Sequence, residues 1–161
     1  LTPVKIFHKG YYNHMEESHE LLVSYGNEKI WDVLAENPRN RVVVFGEQPE
    51  MLRFPCSTQS YTDIEGSGGN FNLSSSPEAL AEFFTFAGVD HIYLGSGYLK
   101  PGTDGFRNVT GLLKQGYLSD LLYENGNGLA VFSPEPRELS AEESEALLAE
   151  FTEKYWPGEQ Q

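Results

Sequence analysis

"NRVVVFG", residues 40–46, decides the fold. Val42, Val43, Val44 and Phe45 form an unbroken apolar run with no polar position for solvent. A run of that kind is a strand covered on both faces, the habit of a parallel sheet with helices packed above and below it. What precedes it agrees. In "NEKIWDVLAENP", Asn27 is an N-cap candidate, and Ile30, Trp31 and Leu34 fall at helical spacing. Pro38 ends the helix by driving Asn37 out of the helical region.

Working towards the C-terminus, order returns at "SPEALAEFFTFAG". Ser76 can cap, Pro77 suits the first helical position, and Glu78 favours the positive end of the helix dipole. Leu80, Phe83, Phe84 and Ala87 share one face, and Gly88 can close the helix in the left-handed region. "DHIYLG" is a second strand. A further helix in "GFRNVTGLLKQG" packs Val109, Leu112 and Leu113 and closes at Gly116. "YLSDLLYENGNGLAVFSP" reads as a β-hairpin, because Asn-Gly tolerates positive φ at both central turn positions. The chain closes with an amphipathic helix. Ser140 and Glu143 form its capping box, and Leu147, Leu148, Phe151 and Tyr155 form its buried stripe. Near the N-terminus, "PVKIFHKGYY" reads as a short edge strand or extended arm, and "HMEESHELLVSYG" as a helix or helical turn. Residues 48–76 give no firm pattern. Together these elements predict one α/β domain over residues 1–161. It is a layered sandwich with a mainly parallel central sheet, helices on both faces and a hairpin at one sheet edge.

Composition narrows the function classes. A net charge of −13 argues against nucleic acid and against an anionic lipid surface, which need clustered Lys and Arg. Much of the acid lies in the last 27 residues, where it reads as a solvated helix face. Cys56 is the only cysteine, so no intrachain disulfide forms, and "RFPCSTQS" reads as a structural thiol. No apolar run approaches the roughly 18 residues of a membrane span. The chain opens "LTPVKIF" without Met, which is read as a processed start or as a segment of a longer protein.

The search for chemistry is short. His14 and His19 stand five apart, off the spacing that aims two ligands at one ion, and "HELLV" lacks the second His of a zinc-protease helix. "DIEGSGGNFN" places Asp63, Glu65 and Ser67 on alternating positions but without the Gly and terminal Glu of an EF-hand. No metal and no cofactor is expected. The loop "GSGYLKPGTD" follows a strand, where ligands gather in α/β proteins, yet it matches neither G-x-G-x-x-G nor the G-x-S-x-G elbow. Ser96, His91 and Asp104 are the candidates if this is a small hydrolase acting at that loop. Tyr61, Asp63, Ser96, Tyr98, Lys100 and Asp104 are the candidates if the loop and "YTDIEGSGGN" form two walls around a sugar.

Longer phrases carry a resemblance. "NEKIWDVLAENPRNRVVVFGEQPEMLRFP", "SSPEALAEFFTFAGVDHIYLGSGYL" and "LLKQGYLSDLLYENGNGLAVFSP" follow one another in order. This series resembles the C-terminal extracytoplasmic domain of polytopic bacterial membrane proteins of the GT-C glycosyltransferase type. "GVDHIYLG" and "LYENGNGLAVF" carry the likeness, over roughly residues 27 to 133. The resemblance implies a non-catalytic domain excised from a longer chain, attached to the membrane on its extracytoplasmic face. Its partners would be the membrane-embedded part of the same protein and a glycan or lipid-linked sugar acceptor. No residue here matches the catalytic loops of that family. The insert "CSTQSYTDIEGSGGNFNLSSS" and the acidic final helix depart from its pattern.

Overall fold

The computed structural model describes residues 26–46, 54–61 and 75–155. In chain order the elements are α1 (Glu28–Ala35), β1 (Arg41–Phe45), β2 (Ser57–Ser60), α2 (Pro77–Ala87), β3 (His91–Leu94), α3 (Asp104–Lys114), β4 (Leu118–Glu124), β5 (Asn127–Phe132) and α4 (Ala141–Tyr155). The strands form one sheet in the order β2-β1-β3-β5-β4. β1 runs parallel to both β2 and β3, while β5 is antiparallel to β3 and to β4. The structure is therefore the expected α/β sandwich, with a parallel centre and the hairpin at one edge.

Strand alternation explains why helices cover both faces. Successive side chains point to opposite sides, so Val42 and Val44 meet Ile30 and Leu34 of α1, together with Tyr93, Leu129 and Phe54. Val43 and Phe45 face the other way, with Ile92, Leu94, Ala130 and Phe132, and α2, α3 and α4 close over them. Val43, Val44, Phe45 and Ile92 are completely buried. That is why the run in β1 has no polar position.

The local signals at helix ends are realised. Ser76 Oγ accepts from the Ala79 N–H at 3.1 Å, and Pro77 opens α2. Ser140 Oγ accepts from the Glu143 N–H at 3.1 Å. The hairpin turn holds Asn125 at φ 51° and Gly126 at φ 82°, two consecutive positive angles that twist with the flanking strands. β4 has a register shift between Ser119 and Leu122, with Asp120 at φ 49°. Such a bulge spoils the edge for pairing with another sheet.

Two expectations change. β2 was not readable as a strand, and it adds a parallel edge strand at Ser57–Ser60 whose side chains are mostly exposed. Asn27 occupies the N-cap position of α1 but makes no side-chain cap. Glu124, from the far end of β4, accepts instead from the Lys29 and Ile30 N–H groups at 3.1 and 3.2 Å. The readings of residues 3–12 and 14–26 fall outside the described residues, apart from Gly26.

Candidate functional site

β1 and β3 end at the same edge of the sheet, and the turn between β4 and β5 arrives there too. The backbone of Ser96 and three side chains, Asn127, Asn27 and Tyr93, form a continuous chain of hydrogen bonds at this edge. The Ser96 N–H donates to Asn127 Oδ1 at 2.8 Å. Asn127 Nδ2 donates to Asn27 Oδ1 at 2.8 Å, and Asn27 Nδ2 donates to the Tyr93 hydroxyl at 2.9 Å. Both asparagines are buried, Asn27 at 1% exposure and Asn127 at 7%. Burial pushes the Tyr93 phenol up to about 12, partly offset by the bond from Asn27.

A second tie holds the start of the loop. The Tyr155 hydroxyl, at the end of α4, donates to the Gly95 carbonyl at 2.5 Å and accepts from the Leu99 N–H at 3.1 Å. Farther along, Thr103 Oγ1 donates to the Lys100 carbonyl at 2.6 Å and accepts from the Phe106 N–H at 3.3 Å, capping α3. Loop 95–104 is thus held at its start by Tyr155, which sequence spacing does not connect to it, and at its end by the local Thr103 cap. Asn27, Asn127, Tyr93 and Tyr155 have no local signature for this role.

The sequence candidates separate in space. Ser96 is exposed just beyond the carboxyl end of β3, whereas His91 is the first residue of that strand. At about 3.3 Å per residue they stand roughly 13–17 Å apart, out of reach for a serine and its base. Asp104 opens α3 and pairs with Arg107 at 2.7 Å on the surface. Tyr61, expected as one wall of a sugar site, is 1% exposed and stacks on Phe45 with ring centroids 4.3 Å apart, so its ring is core. Its hydroxyl accepts from Asn108 Nδ2 at 3.4 Å. Tyr98 is half-buried against the α2–α4 side of the core, and Lys100 is exposed. Asp63 lies outside the described residues. Tyr98, Lys100, Ser96 and Asp104 therefore remain together on one loop, without His91 and Tyr61.

At the opposite edge, Asp90 pins three strands. Its carboxylate accepts from the Arg41 N–H and its N–H donates to the Arg41 carbonyl, both at 2.9 Å. Its own carbonyl accepts from the Phe132 N–H at 2.8 Å. His91 Nδ1 beside it is buried without a hydrogen-bond partner among the described residues. Burial holds the His91 pKa below its ordinary value, although Asp90, Asp120 and Glu36 pull the other way. The unfolded chain then binds a proton near pH 6.5 while the folded chain resists it, so stability is lost as pH falls through that value. Comparing urea midpoints of the wild type and His91→Gln across this range should show the wild type losing ground at acid pH. A difference that stays flat with pH would refute the assignment.

Cys56 packs against the α1 side of the core, and burial, helped by the Asp90 charge, pushes its thiol up to about 11. On the order of 100-fold less thiolate is present near pH 8, and greater intrinsic nucleophilicity recovers about tenfold. Iodoacetamide should therefore modify native Cys56 about tenfold more slowly than the urea-unfolded thiol, and equal rates would contradict this.

Among the described residues, no group of three or more His, Cys, Asp and Glu side chains is placed to hold a metal ion. No described helix is long and apolar enough to cross a membrane. No protein-family model, curated protein or solved structure matches the chain.

Proposed function

We propose that this chain is a non-catalytic accessory domain of a membrane protein of the glycosyltransferase type that its phrases resemble, and that loop 95–104 contacts a carbohydrate. The observation that carries the proposal is the use made of polar groups at the sheet edge. Asn27, Asn127, Tyr93 and Tyr155 are spent on one another and on backbone. They fix a loop in place, and among the described residues the one histidine, His91, stands at the far end of β3 from Ser96. A rigid loop carrying Tyr98, Lys100 and Asp104 offers one aromatic ring with polar neighbours, a combination suited to weak saccharide contact. The membrane-embedded part of the same protein is the partner in this reading, on the extracytoplasmic side.

Two measurements test it. The reading frame around this segment should encode several apolar runs of about 20 residues each. Titrating the isotope-labelled protein with neutral oligosaccharides should shift amides of loop 95–104, and Tyr98→Ala should abolish the shifts. Absence of span-length runs would remove the membrane assignment. Ester or phosphoester turnover that disappears in Ser96→Ala would replace this reading with hydrolysis at the loop.

A further inference from the structure

α4 is long but lightly anchored. Of its 15 residues only Phe151 and Tyr155 are buried, whereas α3, with 11, buries Gly105, Asn108, Val109, Leu112 and Leu113. The two buried rings of α4 stand one turn apart at its C-terminal end. They stack with centroids 4.9 Å apart, and Phe151 reaches Phe106 of α3 at 6.1 Å. Near its start the helix is tied to α3 by an exposed bond, Ser144 Oγ donating to the Lys114 carbonyl at 2.9 Å. A helix of this length is marginal in water on its own. Elements with few buried apolar contacts open at lower free energy than the core, so α4 should open before the sheet does.

That same end of α4 carries the tie to loop 95–104. Tyr155 is completely buried, and its hydroxyl bridges the Gly95 carbonyl and the Leu99 N–H. Among the described residues the Leu99 N–H has no other partner, and Leu99 itself is 2% exposed. The two residues at the start of the loop are held differently. The Gly95 N–H donates to the Phe45 carbonyl on β1 and the Ser96 N–H to Asn127 Oδ1 on β5, both at 2.8 Å. The loop therefore has one anchor on the sheet and a separate one on α4. Gly97 at φ 75° and Gly102 at φ 87° bracket the segment between, and glycine gives both points the backbone freedom of a hinge.

We infer that α4 is a clasp on this loop, with Tyr155 as the positioning residue. Opening of α4 withdraws the Tyr155 hydroxyl and releases residues 97–101 about the two glycines, while Ser96 stays on Asn127. The inference goes beyond the proposed function, because the coupling holds whatever the loop contacts.

The test is native-state hydrogen exchange of the full chain, followed amide by amide at low urea. The amides of residues 147–155 and of Leu99 should share one opening free energy and one shallow urea dependence, both below those of β1. The Ser96 amide should stay protected through that opening. Phe151→Leu, which removes the stack on Tyr155, should speed α4 and Leu99 by the same factor, about tenfold. Ile30→Val, on the opposite face of the sheet, should speed β1 about fivefold and leave α4 and Leu99 as they were. Tyr155→Phe keeps the ring and deletes the hydroxyl. In that background Leu99 should exchange ahead of α4 and no longer respond to Phe151→Leu. Leu99 opening together with β1 would overturn the inference, as would α4 amides that open only with the whole molecule. A Leu99 response to Phe151→Leu that survives in Tyr155→Phe would equally refute it, since the hydroxyl would then not be the link.

Discussion

Gly116→Ala should lower the stability of the protein by about 3 kcal/mol or more. Gly116 follows α3 with φ at 86°, and a Cβ there would lie 2.1 Å from the Arg137 carbonyl oxygen and 2.9 Å from the Arg137 nitrogen. Those are backbone atoms, so no side-chain rotation relieves the overlap. The Arg137 segment is itself held, because its N–H donates to the Gly116 carbonyl at 3.0 Å and Arg137 Nη2 donates to the Leu118 carbonyl at 2.9 Å. Gly102 is the internal control. Its φ is 87°, yet nothing lies within 4 Å of the added atom. Gly102→Ala should therefore cost only the left-handed conformation, about 1–2 kcal/mol. Urea midpoints at constant slope give both values. If the two substitutions cost the same, the segment around Arg137 yields freely and the packing argument fails.

The second large effect belongs to Asn127. Asn127→Ala deletes the acceptor for the Ser96 N–H and the donor to Asn27 Oδ1, and leaves the latter oxygen buried and unmatched. A loss of about 2–4 kcal/mol is expected, because stranding a buried polar group costs more than a hydrogen bond contributes. Asn27→Ala should be similarly costly, and the double variant should cost clearly less than the sum, since each removes the same link. Hydrogen exchange supplies a local readout. The Ser96 amide should lose protection in Asn127→Ala, while β1 amides lose it only as far as global stability falls. Additive losses would mean that the two asparagines act separately, and that loop 95–104 is not held through them.

The elements legible in the sequence are those whose cause is local or periodic. The apolar run of β1, the Ser76 cap with Pro77 behind it, and the Asn125-Gly126 turn each carry their signal within a few residues. β2 does not. "STQS" joins the sheet through backbone hydrogen bonds to β1 and leaves its side chains largely in solvent, so no apolar pattern announces it. Tyr61 misled for a related reason. A tyrosine beside acidic and glycine-rich residues looks like a loop aromatic, and only the stack on Phe45 and the bond from Asn108 make it core.

The polar edge of the sheet was the least legible part. Asn27 looks like a cap because asparagine before a helix usually is one. Here Glu124 reaches the α1 N–H groups and frees Asn27 to bond with Asn127 and Tyr93. The sequence by itself determined the order of the helices and of every strand but β2, the parallel centre of the sheet and the hairpin, because hydrophobic period and turn chemistry act over short stretches of chain. The tertiary structure alone decided which polar groups meet. Asn27 and Asn127 come together only when α1 and β5 dock against β3, and short-range hydrogen bonds select partners by position in space, whatever their separation along the chain.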